Sequence, residues 1–174
     1  MSTKAPGRGS VKTRRNLAEF NATDPYLPRL GPGEVAACTE CQALYQRRHW
    51  FFDHDAYVRE TMQPTTRMVL CPACQKIRDR YAEGQVTLHA GSFLTEHKDE
   101  IVRLIRNEEE RAKGFNPLER IVELKDSEEG IIVTTTNEKL AQRIGRSVKS
   151  AYQGQTTYRW SDPKFLLVEW ERPE

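Results

Sequence analysis

Four cysteines constrain this chain more than any other feature. They read Cys38-Thr39-Glu40-Cys41 and Cys71-Pro72-Ala73-Cys74, with 29 residues (42–70) between the pairs and no cysteine elsewhere. Two C-x-x-C pairs with none left over suit one tetrahedral Cys₄ zinc site, each pair sitting at a tight turn that aims two thiolates at one point. Four thiolates close the shell and leave no position for water, so catalytic zinc is not expected. The alternatives fit less well. A redox C-x-x-C is expected once, in a βαβ pattern, and no such pattern surrounds these two. Iron–sulfur clusters prefer other spacings. Disulfides need an oxidising compartment, and the N-terminus has no apolar run of the secretory type, so no signal is expected. The expected cofactor is a single structural Zn²⁺ held by Cys38, Cys41, Cys71 and Cys74.

A unit as small as residues 36–90 usually needs a metal to fold. Its expected shape is two hairpins, Ala36–His49 and Thr66–Tyr81, each carrying one cysteine pair. The intervening run His49-Trp50-Phe51-Phe52-Asp53-His54 offers two histidines as reserve ligands and three aromatics that suit packing over the hairpins. Arg47, Arg48, Arg59, Arg67, Lys76, Arg78 and Arg80 are interleaved with them. Cations among aromatics suit single-stranded RNA, the cations on phosphates and the rings on bases.

Charge is distributed unevenly. The 174 residues carry a net +2, with 37% hydrophobic and 30% charged residues, which predicts a soluble chain with a modest core. No run approaches the ~18 apolar residues of a membrane span. Residues 1–15 hold Lys4, Arg8, Lys12, Arg14 and Arg15 and no acid, among Gly, Ser, Thr and Pro. That composition predicts a flexible arm over 1–35. It reads as a solvated tail or a nucleic-acid-binding arm, or, less well for want of an amphipathic period, as a transit peptide.

Residues 92–113 read as a connecting helix between 91 and 116, with Ser92 as N-cap, Gly114 as stop and a narrow apolar stripe. Its charged run Glu108-Glu109-Glu110 reads as solvated. Residues 117–174 read as β-β-α-β-β: strands at 118–124 and Ile131–Thr136, a helix capped by Asn137 and ended near Gly154, then Thr156–Trp160 and Phe165–Glu171. The predicted class is therefore α+β: a Cys₄ zinc ribbon, a connecting helix, and one helix on a four-stranded sheet. The exposed side of that helix carries Lys139, Arg143, Arg146 and Lys149 as a basic stripe. Gly145 in its middle suits close approach of a strand or of a nucleic-acid backbone.

The run Thr134-Thr135-Thr136-Asn137-Glu138-Lys139-Leu140-Ala141-Gln142-Arg143-Ile144-Gly145, with Ala151–Gly154, Tyr158-Arg159-Trp160 and Val168–Arg172, resembles the bacterial and archaeal relatives of the nonsense-mediated-decay-three family, the export adaptor of the large ribosomal subunit. Those proteins place C-x-x-C zinc hairpins ahead of a small β-β-α-β-β domain, and the resemblance covers about residues 36–174. Better-known members have eight cysteines where this chain has four, so one such zinc is implied at most. The leucine-rich export tail of eukaryotic members has no counterpart, so nuclear export does not transfer. The resemblance implies ribosome or RNA binding and no catalytic role.

The leading expectation is a non-enzymatic, cytoplasmic, monomeric zinc protein that binds ribosomal RNA, in large-subunit maturation or on idle, hibernating ribosomes. It has no small-molecule substrate and no membrane partner. The alternative is a zinc-ribbon adaptor for another protein in transcription or stress response, using a sheet face and the acidic 108–110 segment. A metal-dependent hydrolase would need a nucleophile, a phosphate loop and an open metal position, none of which the sequence offers.

Overall fold

The computed structural model describes residues 24–26, 29–89, 91–162 and 164–172. The arm cations Lys4, Arg8, Lys12, Arg14 and Arg15 lie outside the described residues. Two sheets, each with its own core, account for the rest. The chain is α+β, and among the described residues no helix is long and apolar enough to cross a membrane.

The first sheet is built from β1 (Ala36–Cys38), β2 (Leu44–Gln46), β3 (His49–Phe51) and β4 (Arg67–Val69), in the order β3-β2-β1-β4. β4 lies parallel to β1, and the other pairs are antiparallel. Helix α1 (His54–Thr61) starts at Asp53, whose side chain accepts the Ala56 amide at 2.8 Å. Helix α2 (Pro72–Asp79) follows β4 directly. The expected second hairpin is therefore a strand–turn–helix. Proline at the first helical position has its φ preset and lacks an amide that would have had no helical partner. One face of this sheet buries Ala36, Cys38, Tyr45 and Trp50 with Cys71 and Ala73. The other packs Ala37 and Leu44 on Ala56, with Phe51 and Tyr57. The aromatic trio is thus divided: Trp50 on the cysteine side, Phe51 on the α1 side, and Phe52 exposed.

The second sheet has five strands, one more than predicted. β5 (Gly84–His89), β6 (Ile121–Ser127), β7 (Gly130–Thr135), β8 (Gln155–Asp162) and β9 (Phe165–Glu171) are ordered β6-β7-β5-β9-β8. Its centre is β5, a segment that the sequence reading assigns to the zinc unit. It pairs antiparallel with β7 and parallel with β9. Val86 and Leu88 alternate with Gln85 and Thr87, and the apolar pair is fully buried.

The connecting helix is also more than a connector. It is broken at His97 into α3 (Ser92–Glu96) and α4 (Lys98–Phe115), and Gly114 lies inside the helix rather than ending it. α4 buries Ile101, Ile105 and Ala112 in one core with Leu140, Ile144 and Val148 of α5 (Glu138–Tyr152) and with the five-stranded sheet. Two long helices therefore cover this face instead of one. Asn137 caps α5 as expected, accepting the Leu140 amide at 3.1 Å.

Gly145 serves packing. A Cβ there would stand 2.6 Å from Val168 Cγ1 and 3.2 Å from the Tyr158 hydroxyl, so the missing side chain lets α5 lie close to β9 and β8. Overpacking costs roughly 1–3 kcal/mol, against about 1 kcal/mol of helix propensity gained from glycine to alanine. Gly145→Ala is therefore expected to lower the Tm in thermal unfolding followed by circular dichroism. A raised Tm would show that Val168 turns aside freely.

Candidate metal centre and basic surface

Cys38 ends β1 and Cys41 lies in the turn to β2. That turn is closed by the Cys38 amide donating to the Ala43 carbonyl at 2.8 Å and by Gln42 at positive φ. The Thr39 amide donates to Val69 O at 2.9 Å, which ties this turn to β4 and brings the second pair alongside. Cys71 is the N-cap of α2, so its sulfur sits at the amide-rich end of a helix and accepts the Cys74 amide at 3.5 Å. The Cys71 amide in turn donates to the Cys38 sulfur at 3.3 Å.

All four sulfurs lie within 4.8 Å of one another, the Cys41–Cys71 pair at 3.7 Å, and none is in a disulfide. A tetrahedron with metal–sulfur bonds of about 2.3 Å has sulfur–sulfur edges of about 3.8 Å. The donor set therefore fits one zinc ion. Amides donating to sulfur are the partners that favour thiolate over thiol. Hydrogen bonding from the Cys41 thiol, and then from Cys71 and Cys74, holds Cys38 well below the ordinary thiol range. Cys71 is pushed the other way, chiefly by its hydrogen bond to Cys38. Four clustered thiols cannot all ionise unaided, and a divalent cation is what such a cluster suits. His49 and His54, the reserve ligands, are not in the cluster.

The predicted cations separate into engaged and free. Lys76 is engaged: its ammonium lies 2.9 Å from Glu83 and donates to the Thr136 carbonyl at 3.0 Å, with both side chains nearly buried. It joins the α2 helix to the larger sheet and is unavailable to phosphate. Arg67 pairs with Glu34 at 3.2 Å, Arg78 with Asp79 at 3.2 Å, Arg59 with Glu60 at 3.8 Å and Arg143 with the buried Glu119 at 3.7 Å. Arg47, Arg48, Arg80, Lys139, Arg146 and Lys149 are exposed and make no ion pair among the described residues.

Those free cations sit on rigid positions. Arg47 and Arg48 form the two-residue turn between β2 and β3, flanked by the Gln46–His49 pair, and both have positive φ, 51° and 68°. Such hairpin turns favour Asn-Gly because side chains are strained there. Lys139, Arg146 and Lys149 lie on the outer face of α5. Tyr158, on the edge strand β8, lies against α5 near Arg146, and Trp160, 58% exposed, follows two residues on along the same strand. Burial raises the Tyr158 phenol above its ordinary range, while the nearby Arg146 charge pulls it down. These two aromatics are absent from the sequence-derived set; exposed rings on an alternating strand are the signal that marks them.

The acidic run is mostly not surface. Glu109 is buried, accepts the Ile121 amide at 2.7 Å where β6 bulges, and pairs with Arg106 at 3.2 Å. Glu108 is buried beside Arg111 at 2.9 Å. Glu110 alone stays in solvent, paired with Lys113.

Scans against protein-family models, curated proteins and solved structures each return no match for this chain.

The metal is expected at one zinc per chain in metal analysis of the purified protein; iron, or no metal, would refute the assignment. Cys71→Ser removes a thiolate ligand while leaving a hydroxyl to cap α2 and the backbone amide that donates to the Cys38 sulfur, so it isolates the loss of the metal. Hydrogen exchange should then lose protection across residues 36–79 while β5–β9 stay protected, because the larger sheet has its own apolar core.

Proposed function

We propose that the chain is a non-enzymatic zinc protein that binds structured RNA, most fittingly ribosomal RNA, as a monomer. The observation that carries this reading is the turn at Arg47–Arg48. Two long cations occupy backbone positions that favour glycine and asparagine, at the tip of a hairpin anchored through β1 to the cysteine cluster. Holding two guanidinium groups on such a tip, with no carboxylate against them among the described residues, suits phosphate contact. The free face of α5, where Tyr158 lies near Arg146, supplies a second place where a cation and a ring lie together. The likeness to the nonsense-mediated-decay-three family points the same way, to large-subunit maturation or the occupation of idle ribosomes. The adaptor alternative relies on an acidic 108–110 surface, and two of those three acids are buried.

Six free cations on phosphate would make binding strongly salt-dependent, with affinity falling about 10²–10³-fold between roughly 50 and 200 mM salt. The double reversal Arg47→Glu/Arg48→Glu is expected to leave zinc content and unfolding unchanged, to weaken binding to purified ribosomal RNA and to flatten the salt slope. Arg146→Glu with Lys149→Glu tests the α5 face in the same assay. Co-sedimentation on sucrose gradients at low and high salt identifies the particle. A wild-type chain that never sediments with ribosomes or binds RNA would overturn the reading.

A further inference from the structure

A cavity of about 710 Å³ opens between the metal centre, the end of α4 and the start of β6. Three cations line it, Arg78, Lys113 and Arg120, against one acid, Glu40. Arg120 is the least satisfied of them. Its Nε and Nη1 are buried without a hydrogen-bond acceptor, and the nearest carboxylate oxygen, on Glu109, is 3.8 Å away. The acids beside the other two are solvent-facing: Glu110 for Lys113 and Asp79 for Arg78. Exposed pairs of that kind hold loosely and exchange for a better anion. The two buried Arg120 nitrogens lie beneath the cavity wall, so a ligand meets the remainder of that guanidinium together with the more exposed Arg78 and Lys113, whose loose pairs leave them free to hold an anion.

The opposite lining is apolar. Phe52, Leu70 and Ile77 contribute it, and Phe52, 39% exposed, stacks on no other ring among the described residues. A cavity of this size holds a small organic molecule. The chemistry that uses both sides at once is a flat ring joined to a phosphate. We propose that this cavity is a nucleoside monophosphate site, the base against Phe52 and the phosphate among Arg78, Lys113 and Arg120. Its source is one unit of a bound RNA strand, in which case it rests on the RNA-binding reading above, or a free nucleotide. Cys41 and Cys74 also border the cavity, so the same cations face the negative charge of a metal-bound tetrathiolate. That rival role is separable by experiment.

The test uses the zinc-loaded full chain and two probes: fluorescein-labelled oligouridine followed by anisotropy, and UMP or AMP followed by calorimetry. Phe52→Ala and Arg120→Gln are each expected to weaken binding about tenfold, with Arg120→Lys recovering part of the loss and with zinc content unchanged. Arg78→Gln, at an exposed position, keeps the test open if Arg120→Gln misfolds. Oligouridine binding that ignores Phe52, Arg78 and Arg120 but collapses in Arg47→Glu/Arg48→Glu overturns this site and leaves the RNA reading standing. Mononucleotide binding that needs Phe52, with no oligouridine binding, supports the site as one for a free nucleotide; binding to ribosomal RNA in the assay above decides the RNA reading separately. Arg120→Gln that only speeds zinc loss to a chelator, with both probes bound normally, assigns the cations to the metal centre and overturns the proposal. So does a wild-type chain that binds neither probe.

Discussion

The meeting of four sulfurs within 4.8 Å is the constraint on which the first half of the structure depends. The strands around it are three residues long. The buried cluster on their cysteine side includes three alanines and two cysteines. Apolar burial on that scale cannot offset the conformational entropy of ordering some forty residues. A metal bound by thiolates contributes folding free energy directly, because the unfolded chain has no preformed site. The same geometry explains the local sequence: proline after Cys71 starts a helix at once, and the helix N-terminus then presents amides to a sulfur.

The metal unit is fixed to the larger sheet by polar contacts. Lys76 projects from α2 to Glu83 and to the Thr136 carbonyl. The Glu83 backbone is already part of the larger sheet, donating to Thr135 O at 2.9 Å and accepting from Leu166 at 3.0 Å. A nearly buried lysine with one carboxylate and one carbonyl is satisfied only in this arrangement, so the pair sets orientation more than it adds stability. Lys76 thereby ties α2, which carries Cys74, to the residue just before the Asn137 cap of α5.

Much of this was legible in the residues. Cysteine spacing announced the cluster, because a tetrahedral site needs that spacing. The strands β7 and β9 and the helix α5 announced themselves by period, and Asn137 by its capping chemistry. Other features were hidden for physical reasons. β5 is as long as β7 but lacks its β-branched run, and its alternation of Val86 and Leu88 with polar neighbours shows only once a sheet is sought for it. The run Glu108–Glu110 looks solvated because charge normally is; what buries Glu109 is a bulge in β6 that leaves the Ile121 amide facing it, a tertiary circumstance with no local signature. Lys76 and Arg80 look alike in sequence. One faces the larger sheet and the other caps α2 from the left-handed region, and their roles part only there.

That parting bears on function. A count of cations near a zinc site says little, since many are counter-charges for neighbouring carboxylates. Here Arg59, Arg67, Lys76, Arg78 and Arg143 each have an acid within 4.0 Å. What remains is a smaller set held on a two-residue turn, a packed helix and, for Arg80, the end of α2. Stiffness matters because an ordered cation loses less entropy on meeting a phosphate than a mobile one. A flexible basic tail supplies attraction without register, whereas a hairpin tip anchored beside the cysteine cluster and a helix anchored to a sheet hold their charges at fixed separations. Under the RNA-binding function proposed above, fixed separations favour RNA whose phosphates are themselves held at fixed separations, which argues for folded RNA over an extended strand.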